Sequence, residues 1–261
     1  MADNNLEIDD SIPERVLVVA AHPDDIEFGM AGSVARWVKA GAHVTYALLT
    51  DGAAGSNDPD ADLGALIAER RAEQDAAANV LGVTDVRYLG YPDGALPTTL
   101  DVRRDVTRLI REIKPDRVLC QDPTTVFRGD GYINHPDHRA AGEAAIYAVF
   151  PSAETRPIFP ELVEEGHEPH KVNELWMTLT NHPNTVVDIS DSFEDKIEAL
   201  VKLASQLGDG KRAAERIAEW NAEAGEPYGF QYAETFRVVR FRRPEPSEGE
   251  AVGEPEGDEE A

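Results

Sequence analysis

Apolar residues along this chain alternate between short continuous runs and stretches in which they recur every three or four positions. Val16-Leu17-Val18-Val19-Ala20 predicts a strand buried on both faces, and Met30, Val34, Trp37 and Val38 form one stripe of the helix that follows. A second strand, Val44 to Leu49, comes after a turn at Gly41. The polar loop Asp51 to Asp60 leads into a long helix that stops at Leu81-Gly82. Asp85 to Leu89 reads as a short strand. Val102, Val106, Leu109, Ile110 and Ile113 mark a helix ending before Pro115, and the strand Asp116 to Cys120 follows at once. Pro136 opens an Ala-rich helix running to about Phe150, and a loop rich in Pro, Glu and His spans 151 to 171. Strands are expected near Glu174 to Thr180 and Thr185 to Ile189. Ser192 and Asp195 then cap one helix with the stripe Phe193, Ile197, Leu200, Val201, Ala204 and Leu207. Strands alternating with helices predict an α/β fold: a Rossmann-like, mostly parallel sheet with helices on both faces.

Composition sets the limits of this fold. With 261 residues, 41% of them hydrophobic, the chain can bury a full core. Residues 244–261 are almost devoid of apolar side chains and read as a disordered acidic tail; residues 1–11 read as a flexible N-terminus, leaving 12–243 as a single domain. A net charge of −25 argues against nucleic acid and anionic membrane as partners. Only 6 of the 25 basic residues are lysines, and an acidic, lysine-poor surface suits a salt-accumulating cytoplasm. Met1 to Asp10 shows no leader pattern and no window has the length of a membrane span, so a cytoplasmic protein is expected. Cys120, the single cysteine, ends an apolar run and reads as a strand residue in the core.

In such a sheet ligands bind at the carboxyl ends of the strands, so the loop after the first buried strand is the most informative segment. It reads Ala21-His22-Pro23-Asp24-Asp25-Ile26-Glu27-Phe28-Gly29, with an imidazole and adjacent carboxylates where a nucleotide-binding loop would carry glycines. Asn134-His135-Pro136-Asp137-His138 also follows a strand and opens a helix. One His-Pro-Asp is an ordinary helix start, because Asp caps and Pro fits the first turn. Two copies, each placed after a buried strand, point to a site. His22, Asp25 and His138 would supply the nitrogen and oxygen donors of a Zn²⁺ centre with one position left for water, and Asp24 would remain free as a general base. His43, His167 and His170 lack this context, and His182 in Asn181-His182-Pro183-Asn184 is ambiguous.

The run at 21–29 together with His-Pro-Asp-His at 135–138 resembles the LmbE/PIG-L family of zinc-dependent de-N-acetylases, and within it the archaeal diacetylchitobiose deacetylase branch. Thr50-Asp51-Gly52, Arg70-x-x-Glu73, Leu81-Gly82-Val83, Asp93-Gly94, Thr185 to Ile189 and Tyr232-Ala233-Glu234-x-Phe236 fall where the family has similar elements. The resemblance implies that His22, Asp25 and His138 bind zinc, that Asp24 is the base, and that His135 polarises the amide carbonyl. It implies that Arg70 and Asp93 hold sugar hydroxyls. Fe²⁺ is the alternative occupant, since affinity order alone does not fix the metal. The implied partner is a small amino sugar, and the implied assembly a homo-oligomer. One departure stands out: where the family often has His-x-Ser-Gln, this chain has Leu203-Ala204-Ser205-Gln206.

The chemistry expected is metal-assisted hydrolysis of an N-acetylglucosamine-type amide, releasing acetate. Two alternatives use the same residues: hydrolysis of another small amide, such as a thiol-sugar conjugate, and a metal- or sugar-binding module without turnover. A spare carboxylate beside the ligands favours an enzyme. On this reading His135 is expected to act as an imidazolium, its charge favoured by Asp137.

Overall fold

The computed structural model describes residues 6–241. The tail expected at 244–261 lies outside them. In chain order the elements are β1 (Glu7–Ile8), β2 (Arg15–Ala20), α1 (Asp25–Gly29), α2 (Ala31–Lys39), β3 (His43–Thr50), α3 (Leu63–Val80), β4 (Asp85–Tyr91), α4 (Leu100–Ile113) and β5 (Arg117–Gln121). They continue with β6 (Phe127–Arg128), β7 (Tyr132–Ile133), α5 (Pro136–Tyr147), α6 (Pro160–Glu164), β8 (Glu174–Thr178), β9 (Thr185–Asp188), α7 (Phe193–Leu200), α8 (Ala204–Leu207), α9 (Lys211–Gly225) and β10 (Ala233–Arg240).

An eight-stranded sheet in the order β1-β9-β10-β8-β5-β2-β3-β4 forms the centre, and β6 and β7 make a separate hairpin. Every pairing in the large sheet is parallel except those of β10, which runs antiparallel to β8 and β9. Alternation along β2 divides the core. Val16, Val18 and Ala20 pack with Met30, Val34 and Trp37, whereas Leu17 and Val19 pack with Val102, Val106 and Ile110 of α4 and Ala141 and Ala145 of α5. Cys120 is fully buried in this second cluster, and burial pushes its thiol up, as a core residue requires.

From β2 the chain proceeds outward to β3 and β4, then returns to place β5 on the other side of β2. The strand order therefore reverses between β2 and β5, and in such sheets ligands bind beyond the carboxyl ends of the strands at that point. The loop after β2 carries His22 to Asp25. The loop after β5 leads to His135 and His138 at the start of α5. Gly142 lets α5 press against β5, since a Cβ there would lie 2.2 Å from the Gln121 carbonyl oxygen.

Several expectations are corrected. Residues 6–11 join the fold: Glu7 and Ile8 pair with Thr185 and Val186, and Asp9 binds Arg240 at 2.6 Å. The helix expected from 193 to 207 is two helices, α7 and α8, separated by a turn at Val201–Leu203. Ser192 does not cap α7; its hydroxyl donates to the Gly32 carbonyl at 2.7 Å, and Asp195 binds Lys39. The 151–171 loop contains α6 and is held by Arg111, whose guanidinium donates to the carbonyls of Ser152, Ala153, Thr155 and Ile158. Helix α5 ends its regular course at Tyr147, three residues short of Phe150, which is extended.

Candidate metal centre and active site

The turn after β2 is built to bring side chains together. Asp24 has φ 108, a left-handed conformation costly for a residue with a Cβ, and its N–H is tied to Gln74 Oε1 on α3 at 2.9 Å. Gln74 in turn donates to the buried Glu27 at 3.0 Å. The two neighbouring carboxylates have different partners. Asp25 closes back on the turn, its Oδ2 accepting the His22 N–H at 2.8 Å and lying 3.5 Å from His22 Nδ1, and its Oδ1 lies 2.9 Å from His138 Nε2.

Hydrogen bonds on the far sides of the rings fix which nitrogens face Asp25. His22 Nε2 lies 3.1 Å from Asp93 Oδ1 and 3.3 Å from Asp137 Oδ2, both acceptors, so it carries a proton and leaves Nδ1 toward Asp25. Asp137 is itself anchored by the N–H groups of Gly94 and Leu96 at 2.7 and 3.1 Å. His138 Nδ1 faces Asn134 Oδ1 at 3.0 Å, and the Asn134 amide is oriented by donating to the Thr125 carbonyl at 2.8 Å, so His138 turns Nε2 inward. His22 Nδ1 and His138 Nε2 thus each face a different oxygen of Asp25, nitrogen and oxygen donors of the kind that suit a divalent metal.

Two groups lie close enough to hold a metal together among the described residues: the imidazoles of His22, His135 and His138, and His22 with Asp93 and Asp137. The His135 ring has another task. Its Nδ1 accepts the Asp137 N–H at 3.2 Å and caps α5, which places the proton of the neutral ring on Nε2 and makes that nitrogen a donor, not a ligand. Burial, reinforced by the charge of His22, lowers the His135 pKa and outweighs Asp137. Both the shift and the bond at Nδ1 run against the imidazolium expected from the sequence and favour a neutral ring that donates from Nε2.

Burial alone would also lower His22, but hydrogen bonds to Asp25 and Asp93 and their charges push it up to about 11. Asp24 and Asp25 are driven in opposite directions. Burial and the Asp25 charge raise Asp24 well above the usual carboxylate range; for Asp25, burial is overcome by the charge and hydrogen bond of His138, and it falls well below that range.

Arg70 and Asp93 reach the edge of the same cluster, 3.9 Å apart. Arg70 donates to the Gly52 carbonyl at 2.6 Å and lies under Gly55, where a Cβ would clash with the guanidinium at 1.7 Å, so it also holds the loop after β3. Asp93 Oδ2 accepts the Ala54 N–H at 3.0 Å. Leu203 is fully buried in the core and takes no part in the site. The sequence reading assigns no role to Asn134, Gln74 or Gln206, and gives Asp137 only a charge beside His135, not its contact with His22. Asn134, four residues before His138 at a helix start, has a spacing that hints at its partner. Gln74 and Gln206 are joined to the site by tertiary packing.

A Rossmann-like sheet with imidazoles and carboxylates clustered at its switch point makes a candidate metal centre. The family profile described as PIG-L, GlcNAc-PI de-N-acetylase, matches residues 17–149. The diacetylchitobiose deacetylase of Thermococcus kodakarensis is 32% identical over 242 residues, covering 87% of this chain and 83% of that protein. A probable N-acetyl-α-D-glucosaminyl L-malate deacetylase 2 of Bacillus anthracis is 32% identical over 234 residues, covering 87% and 96%. Among solved structures, the N,N′-diacetylchitobiose deacetylase of Pyrococcus horikoshii superposes with a TM-score of 0.81 at 31% identity, covering 87% of this chain and 84% of that one. The chain belongs to the PIG-L family, a family of metal-dependent deacetylases that hydrolyse amide C–N bonds.

Proposed function

We propose that this protein removes the acetyl group from an N-acetylglucosamine-type amino sugar, with Zn²⁺ held by His22, Asp25 and His138 and with Fe²⁺ as the alternative metal. The observation that carries this reading is the division of labour between adjacent carboxylates: Asp25 faces both inward-turned imidazole nitrogens, and Asp24 does not. The relatives named above act on N-acetylated glucosamine derivatives, which supports the substrate class.

When bound, the metal supplies a Lewis acid that polarises the acetamide oxygen and makes water more acidic. Asp24, raised by burial, takes a proton from the attacking water as its oxygen bonds to the acetyl carbon. His135 Nε2–H donates to the carbonyl oxygen as negative charge develops there, a contact stronger in the transition state than in the substrate. The C–N bond then breaks, and Asp24 passes its proton to the departing amine, leaving acetate and a free amino sugar. Arg70 and Asp93 bind sugar hydroxyls.

The experiment is a substrate panel with equal doses of N-acetylglucosamine, diacetylchitobiose, N-acetylglucosaminyl malate and a thiol-sugar amide, scored for acetate and free amine. Stoichiometric release of both from an N-acetyl sugar is expected. Turnover of the thiol-sugar amide alone would favour the amidase reading, and metal binding without turnover of any substrate would favour a binding module.

A further inference from the structure

Glu73 of the motif Arg70-x-x-Glu73 and the pair Ser205-Gln206 have no part in the chemistry above, yet the fold brings them together beside Asp24. Glu73 on α3 accepts the Ser205 N–H at 2.7 Å and binds its hydroxyl, fixing the short helix α8 against α3. From α8 the Gln206 side chain reaches the turn after β2. Its amide faces two acceptors that only its nitrogen can satisfy: Nε2 donates to Asp24 Oδ2 at 2.7 Å and to the Pro23 carbonyl at 3.3 Å.

Asp24 is thus held at two points: its backbone N–H by Gln74 of α3, and its carboxylate by Gln206 of α8. The strained turn sets the direction of the Asp24 side chain but not the rotation of its carboxylate. A donor on Oδ2 fixes that rotation and leaves Oδ1 as the oxygen that takes the proton. We propose that Gln206 is a positioning residue that holds the Asp24 carboxylate in register for proton transfer, with the Glu73–Ser205 contact placing it there. Leu203 contributes by packing: fully buried at the start of α8, it anchors that helix in the core. The inference rests on the deacetylase reading, since it gives Gln206 a role through the base of that reaction.

A hydrogen bond to a charged acceptor contributes on the order of 1.5–3 kcal/mol, equivalent to about tenfold to hundredfold in rate. Gln206→Met keeps the length and removes the donor, at a partly exposed position where folding tolerates the change. The expected result is a fall of that size in kcat, with KM within about twofold and full metal content. On an Asp24→Asn background the same substitution should cost nothing further, because the group it orients is gone. Ser205→Ala should lower kcat in the same direction by a smaller factor. A second readout needs neither metal nor substrate: the Gln206 side-chain amide resonance in ¹⁵N-labelled metal-free protein should shift when Asp24 becomes Asn.

Wild-type kcat in Gln206→Met, an equal loss in both backgrounds, or a Gln206 signal unmoved by Asp24→Asn would each overturn the proposal. If wild type releases no acetate from any N-acetyl sugar, the deacetylase reading fails, and the amide resonance still decides whether Gln206 holds Asp24.

Discussion

One nitrogen of the His135 ring is committed to the start of α5, and that bond decides what the other can do. With Nδ1 accepting the Asp137 N–H, a neutral ring donates from Nε2 without needing to be charged. The pH profile of kcat/KM should therefore rise as Asp24 loses its proton and then stay level through pH 8, with no descending limb that His135→Ala abolishes. A limb present in wild type and lost in His135→Ala would restore the imidazolium. His22 makes the complementary case. In the metal-free protein Asp25 and Asp93 keep it protonated up to about pH 11, so cation uptake below that pH must displace a proton. Raising the pH removes the competitor. Affinity for Zn²⁺ should thus strengthen by about tenfold per pH unit between pH 6.5 and 8.5, the response for one displaced proton. A pH-independent affinity would show that His22 enters the site already neutral.

Between elements, the least visible feature is the contact of β10 with α2. Glu234 on β10 accepts the N–H groups of Gly32 and Ser33 in the first turn of α2 at 3.0 and 2.8 Å, and pairs at 2.6 Å with Lys196 of α7, both side chains being buried. Lys196→Met should destabilise the fold by about 3–5 kcal/mol in urea unfolding, the scale for stranding one member of a buried pair; Lys196→Met with Glu234→Gln should recover part of the loss. A change under about 1 kcal/mol in the single variant would mean the pair is hydrated in solution. The strands β2, β3 and β5 were legible because continuous apolar runs suffice to identify them. Both His-Pro-Asp runs were legible because their ligand types are rare at strand ends. The role of β10 was not: Ala233 to Arg240 alternates plainly, but insertion between β8 and β9 depends on distant partners. Helix α9 carries a single large buried apolar residue, Ile217, too little for a periodic signal. The break between α7 and α8 was hidden because its stripe continues in sequence across the turn.

For the whole molecule, the excess of 25 negative charges weighs against compactness, and salt acts on it in two ways. Screening weakens surface pairs such as Arg36–Asp10 and those of Arg240, each contributing about 0–1 kcal/mol. It also weakens the repulsion among the carboxylates, which outnumber the cations by 2 to 1. At molar ionic strength the Debye length falls to about 3 Å, so the many-body repulsion is removed while buried pairs such as Lys196–Glu234 keep their strength. The melting temperature should accordingly rise from dilute buffer to 2 M KCl, measured by scanning calorimetry on the full chain. No increase would show that repulsion among the carboxylates does not limit the stability of the fold.

The central claim is that Asp24 and Asp25, adjacent in sequence, do different work. Metal content and initial rate, measured on the same preparations of wild type, Asp24→Asn and His138→Ala, test it most directly. Asp24→Asn should keep stoichiometric metal and lose about 10²–10⁴-fold in kcat for acetate release, the scale for removing a general base. His138→Ala should lose both metal and turnover. An Asp24→Asn protein that turns over normally, or one that loses its metal, would contradict the account.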